Sequence, residues 1–142
     1  MQFAIVRSRF NEDITAALLD GAKRALEEAG VAKSDITVLE VPGSWEIPFA
    51  VFQLTETKKY AAIVTVGALI KGETSHNDWI AHGVFPELQR IATETGVPVT
   101  LGIVTCDTEE QAVQRSGKNP DNRGFAAAKA ALEIAQKFPK SK

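Results

Sequence analysis

Residues 61–69, AAIVTVGAL, form an almost unbroken apolar run between a turn rich in threonine and lysine and a strongly polar loop. A half-solvated strand would alternate apolar and polar side chains. A run this short without alternation reads as a strand buried on both faces, the signature of a central strand in a parallel sheet. Such a strand needs helices above and below it. The flanking sequence supplies them. Residues 3–6 read as a short buried strand, and residues 13–29 as a helix with Ile14, Leu18, Ala22, Ala25 and Leu26 on one face and Gly30 as its stop. Residues 36–41 read as a second strand. Ser44 is expected to cap a helix running through Phe49 and Phe52, with Pro48 in its first turn, where a missing N–H costs little. Residues 78–95 read as a long helix kinked at Pro86, and residues 97–105 as a fourth strand. Asp107 is expected to cap a short helix ending at Arg115, and Asn122 to start an alanine-rich helix reaching Lys137. The expectation is an α/β fold: a three-layer α/β/α sandwich on a four-stranded parallel sheet, with flavodoxin-like topology.

At 142 residues, with 44% hydrophobic and 24% charged residues, the chain is expected to form one domain with one core, residues 138–142 making a frayed polar tail. A net charge of −2 gives no electrostatic case for nucleic acid or an anionic membrane, and no apolar run is long enough to span a bilayer. The single cysteine, Cys106, cannot form an intramolecular disulfide, and Met1-Gln2-Phe3-Ala4 lacks the basic start of a secretory signal. A cytoplasmic protein is therefore expected.

In parallel α/β sheets the loops leaving the carboxyl ends of the strands carry the chemistry. The unusual sequence concentrates there. Lys71-Gly72-Glu73-Thr74-Ser75-His76 leaves the most buried strand and enters a helix, whose unpaired N-terminal amides suit a phosphate or carboxylate; the same residues also describe an ordinary capped helix start. His76 is a candidate proton-transfer group, with Asp78 close enough to orient it, although a loop histidine is often merely exposed. His82 lies six residues on, lacks metal-ligand spacing relative to His76, and reads as a structural or surface residue, so no metal is expected. Phe10, between Arg9 and Asn11, could stack on a flat heterocycle or staple onto the following helix. Ser44, Trp45 and Glu46 combine a hydroxyl, an indole and a carboxylate; Trp45 could cover a ring or fill the core. Arg115 suits bidentate phosphate contact or a solvated helix end, and Cys106 reads as a small buried apolar residue.

Taken together in order, these stretches resemble the lumazine synthase family over nearly the whole chain. The resemblance is carried by Arg9-Phe10-Asn11, by Val41-Pro42-Gly43-Ser44-Trp45-Glu46-Ile47-Pro48, and by Gly67-Ala68-Leu69-Ile70-Lys71-Gly72-Glu73-Thr74 with His76 and Asp78. It continues through Gly102-Ile103-Val104-Thr105, Glu110-Gln111-Ala112, Arg115 with Gly117, and Asn122-Arg123-Gly124. It implies condensation of 5-amino-6-(D-ribitylamino)uracil with 3,4-dihydroxy-2-butanone 4-phosphate, without cofactor or metal. It implies that Phe10 stacks on the pyrimidine, that Ser44, Trp45 and Glu46 hold the ribityl chain, and that the backbone of Ala68, Leu69 and Ile70 binds the pyrimidine edge. Glu73 and Thr74 would bind the keto-phosphate, Arg115 would clamp its phosphate, and His76 would move protons. Arg123 stands where lysine is common in the family, and Leu101 where a phenylalanine usually reaches the neighbouring subunit's pyrimidine. Asn77 and Trp79 replace the usual aromatic residue and tyrosine. The resemblance implies a homopentamer with sites between adjacent subunits. The chain begins at its first core strand, without the extra N-terminal strand usual in the family, which leaves the sixty-subunit icosahedral capsid open. Two other readings stand beside it: a non-catalytic flavin- or lumazine-binding shell protein, which Leu101 and Asn77 would suit, and a flavodoxin-like regulatory domain, which Arg9-Phe10-Asn11 does not suit.

Overall fold

The computed structural model describes residues 1–72, 75–118 and 121–139. Four strands, β1 (Phe3–Ser8), β2 (Ile36–Val41), β3 (Ala62–Ile70) and β4 (Val99–Cys106), form one sheet in the order β2-β1-β3-β4. Every pairing is parallel. The helices among the described residues are α1 (Glu12–Glu28), α2 (Ile47–Glu56), α3 (His76–Thr95), α4 (Glu109–Arg115) and α5 (Arg123–Lys137). The strand period of two divides the core between the faces. Phe3 and Ile5 of β1 and Ala62, Val64, Val66 and Ala68 of β3 pack with α1 and α5. Ala4, Val6, Ile63 and Leu69 pack with α2 and α3. The expected three layers are present, and β3 is buried along its length to Leu69.

The order places β1 at the point where the chain reverses direction across the sheet: α1 returns it to β2 on one side, while β3 and β4 are added on the other. A crevice opens at such a switch point, above the carboxyl ends of the diverging strands. Here those are β1 and β3. The two strands end unequally. Pairing of β1 with β3 stops at Arg7 with Val66, whereas β4 accompanies β3 to Ile70 opposite Cys106. The last four residues of β3 therefore have no strand partner on their β1 side.

Several boundaries differ from the sequence expectation, each for an identifiable reason. β1 runs on through Arg7 and Ser8 because Val41 of β2 still pairs with Ser8, and both polar residues are buried. β4 starts at Val99 because Pro98 has no N–H to offer a ladder. α3 starts at His76 and holds Pro86 within it. Ser44 does not cap α2: it opens a short 3₁₀ turn, Ser44–Glu46, and Pro48 falls in the first turn of α2 behind it. α4 is capped by Thr108 rather than Asp107, because the threonine stands three residues before Gln111 and the two exchange a reciprocal capping box. Asn122 caps α5 as expected, accepting from the Phe125 amide at 2.9 Å. It does more than cap. Its buried amide group also donates to the carbonyls of Ala17, Ser116 and Gly117, tying the α4–α5 connection to α1. Residues 140–142 of the expected tail lie outside the described residues.

Candidate active site

The crevice between β1 and β3 is built from the strand ends upward. Arg9 donates its amide to the Val41 carbonyl at 2.9 Å, which fixes the loop after β1 to the end of β2. Asn11 then turns the chain in the left-handed region, at φ 60, a conformation its short polar side chain tolerates. Its Nδ2 donates to the Ala68 carbonyl at 2.9 Å and fixes the same loop to β3. Between these two anchors Phe10 projects outward, 68% exposed. It does not staple onto α1. An aromatic ring held out on a pinned loop is available for stacking.

Below it lies the unpaired edge of β3. Backbone N–H and C=O groups of successive strand residues face alternate sides. The Ala68 carbonyl points to the β1 side, where Asn11 meets it, and the Lys71 amide points to β4, where the Cys106 carbonyl accepts it at 2.8 Å. By this alternation Ala68 and Ile70 turn their backbone groups to the open edge, while Leu69 turns its own to β4. The cavity at this edge has a volume of about 220 Å³, and its walls include Phe10, Ala68, Leu69, Ile70, His76 and Asn77. Five of the residues singled out from sequence are thus brought together. His76, the first residue of α3, is exposed on this wall.

The 44–46 turn sits on the α2–α3 side. Ser44 is buried, and its Oγ occupies the space over Gly67, where a Cβ would lie 2.7 Å from it. Trp45 is not a core residue: it is 60% exposed, with its six-membered ring laid across α3 at Gly83, where a Cβ would come within 2.6 Å of Cζ3. Glu46 is half-buried. Trp45 and Glu46 do not line the 220 Å³ cavity. His82 is exposed and meets Trp79 edge to face, with ring centroids 5.9 Å apart. Glu73 and Thr74 lie outside the described residues.

Arg115 ends α4 and folds back over the end of β4. Its Nη1 donates to the Thr105 carbonyl at 3.1 Å and to Cys106 Sγ at 3.3 Å. Cys106 is therefore more than apolar filling; its sulfur is an acceptor that helps aim a guanidinium. Arg115 and Arg123 line a cavity of about 340 Å³ with Leu101, Ile103, Val104 and Thr105. No carboxylate is among these lining residues, so two cations face one concavity, a composition suited to a phosphate. Leu101 is 49% exposed at its rim.

Among the described residues, the cavity lined by His76 is distinct from the two lined by Arg115. A third hollow, about 310 Å³, holds Arg115 with Asp78 and Asn77. Asn77 thus stands between the histidine's cavity and the arginine's, and Asp78 lies on the arginine's side. One chain carries an aromatic, backbone-edged recess with an imidazole and, apart from it, a dicationic recess with an exposed leucine.

Three features escaped the sequence reading. Asn11 acts as a tether across the crevice, Cys106 as a partner of Arg115, and Arg7 as a buried cation. Arg7 is 6% exposed and paired through Nη1 with Glu40 at 2.5 Å. The only sequence signal for that pair is opposite charge at positions that become neighbours once β1 and β2 are set in register, Arg7 opposite Glu40.

Comparison with known proteins matches the sequence over nearly its whole length. The sequence model of the 6,7-dimethyl-8-ribityllumazine synthase family matches residues 1–138. A protein of Salinibacter ruber (strain DSM 13855 / M31), named 6,7-dimethyl-8-ribityllumazine synthase, is 43% identical over 139 residues, which cover 98% of this chain and 89% of that protein. With the match running from the first core strand to the end of the last helix, the chain belongs to the 6,7-dimethyl-8-ribityllumazine synthase family.

Proposed function

We propose that this chain condenses 5-amino-6-(D-ribitylamino)uracil with 3,4-dihydroxy-2-butanone 4-phosphate to give 6,7-dimethyl-8-ribityllumazine, releasing phosphate and water. The observation that carries the reading is the slot formed by exposed Phe10 above the open edge of β3, next to His76. A flat heterocycle with hydrogen-bonding groups along one side fits such a slot: its face stacks on Phe10 while its edge meets the Ala68 amide and the backbone of Ile70, with Leu69 as wall. Ser44, Trp45 and Glu46 would hold the ribityl chain leaving the slot. Glu73 and Thr74 would hold the keto-phosphate near the start of α3.

The chemistry follows from the substrates. The 5-amino group attacks the ketone, and loss of water gives an imine. A proton shift allows the phosphate at the neighbouring chain end to leave. The ribitylamino nitrogen then closes the second ring with loss of a further water. Each stage moves protons near neutrality, the task assigned to His76. The departing group is a stable dianion, which Arg115 and Arg123 would stabilise. Most of the acceleration expected here comes from holding two substrates in register.

The separation of His76 from Arg115 supports a site shared between copies. The aromatic recess of one subunit would face the dicationic recess of its neighbour, with Leu101 reaching across, in a homopentamer of single-domain subunits. A cytoplasmic location is part of the same proposal. The test is turnover with both substrates, followed by lumazine absorbance. The wild type is expected to be active, and the double variant His76→Ala plus Arg115→Ala to lose more than about a hundredfold in kcat/KM. A double variant as active as the wild type would remove the site assignment.

A further inference from the structure

Arg7 is a buried charge that the proposed reaction does not use. Removing a guanidinium from water is costly unless it is paired and hydrogen-bonded, and an apolar side chain of similar volume commonly serves the fold as well. Its partners are specific. Nη1 meets Glu40 Oε2 at 2.5 Å, Nε donates to Thr15 Oγ1 at 3.2 Å, and Nη2 donates to the Glu12 carbonyl at 3.0 Å. These groups lie on both sides of the loop that carries Phe10. Glu40 stands beside Val41, whose carbonyl receives the Arg9 amide, and Glu12 with Thr15 forms the first turn of α1 directly after Asn11. The planar fork therefore braces the entry of the loop against its exit. Apolar packing at the same place would fill space without fixing direction.

The Phe10 ring cannot set its own position, because it is 68% exposed. Its direction depends on the backbone of residues 9–11. We infer that Arg7 is a positioning residue for Phe10: through Glu40, Glu12 and Thr15 it holds the ring over the open edge of β3 before the pyrimidine arrives. This inference rests on the proposed reading, in which Phe10 stacks on the pyrimidine substrate. A pre-set ring loses less freedom on binding than one that must be ordered by the ligand.

The experiment is a double-mutant cycle of Arg7→Met and Phe10→Ala in the full chain, with KM measured for each substrate, kcat, and the thermal midpoint. Arg7→Met is expected to raise KM for 5-amino-6-(D-ribitylamino)uracil by about tenfold while KM for the keto-phosphate stays within about twofold. In the Phe10→Ala background the same change is expected to raise the pyrimidine KM by less than about twofold, because the residue it acts through is gone. A general loss of stability would lower the midpoint in both backgrounds without this split. Equal effects on both substrates, full additivity with Phe10→Ala, or an unchanged pyrimidine KM in Arg7→Met overturns the inference. If Arg7→Met does not fold, Glu40→Gln decides: it keeps the shape and removes the countercharge, and is expected to give the same split at smaller amplitude, whereas an unchanged pyrimidine KM overturns the inference. An inactive wild type, or a Phe10→Ala variant with an unchanged pyrimidine KM, defeats the underlying reading and this inference with it; an active wild type that needs Phe10 but not Arg7 defeats the inference alone.

Discussion

Individual side chains at this crevice act through direction more than bulk. Asn11 shows it best. One residue supplies both a left-handed turn and a hydrogen bond across the crevice to Ala68. Asn11→Gly keeps the turn and deletes the bond. The loss of one such bond is worth about 1 kcal/mol, so a several-fold rise in the pyrimidine KM with little change in thermal midpoint is expected from steady-state kinetics. Arg115 offers the complementary test. Its guanidinium is aimed by a carbonyl and a thiol, and faces the concavity it shares with Arg123. Arg115→Ala is expected to weaken the keto-phosphate far more than the pyrimidine; equal weakening in separate titrations would count against the phosphate role. Neither arrangement was legible in the sequence. A side chain's type announces what it can donate or accept, but its partner here is a backbone carbonyl or a sulfur chosen by the register of distant strands.

The elements themselves were far more legible. The apolar run of β3, the amphipathic period of α1 and the alanine-rich α5 follow from burial geometry that leaves a periodic trace. What failed were ends governed by pairing rather than by period. Arg7 and Ser8 look like loop residues, yet belong to β1 because β2 continues beside them. Thr108 displaced Asp107 as cap because the reciprocal bond with Gln111 requires a three-residue spacing. Helix contacts add a constraint that sequence only hints at. A Cβ on Gly124 would lie 1.9 Å from the Leu18 carbonyl oxygen, so α5 crosses α1 backbone to backbone at this point. Gly124→Ala gains at most about 1 kcal/mol of helix propensity. Forcing two backbones apart costs about 1–3 kcal/mol or more, so net destabilisation is expected in urea titration. A stabilised variant would mean that the crossing is looser than described. Gly21 differs, because the obstacle there is the Asn122 side chain rather than backbone.

At the scale of the whole molecule, the sequence singled out Phe10, Ala68, Leu69, Ile70 and His76 at the rim of the sheet, and the fold gathers these five around one cavity. It did not reveal that His76 and Arg115 occupy separate recesses, because spacing along a chain carries no information about which hollow a side chain enters. That separation makes a firm demand on any assembly. If each site takes its imidazole from one subunit and its guanidinium from the next, two inactive proteins should rescue each other. Mixed and reassembled His76→Ala and Arg115→Ala subunits are expected to recover about a quarter of wild-type activity, the fraction of random junctions with both groups intact. No recovery despite verified mixing would place both groups of a working site on one subunit.

The mismatch in length between β1 and β3 has a consequence for how occupancy could be observed. A heterocycle lodged against the overhang would stand in for the strand continuation that β1 does not provide, so filling the pocket and finishing the ladder become a single event. Deuterium exchange should register it residue by residue. The Ala68 and Ile70 amides would slow when the pyrimidine binds, and the Leu69 amide, already engaged by β4, would hold its rate. Selectivity follows from the same geometry: molecules lacking donors and acceptors along one flank would gain nothing from the exposed rung, however well their faces matched the ring above.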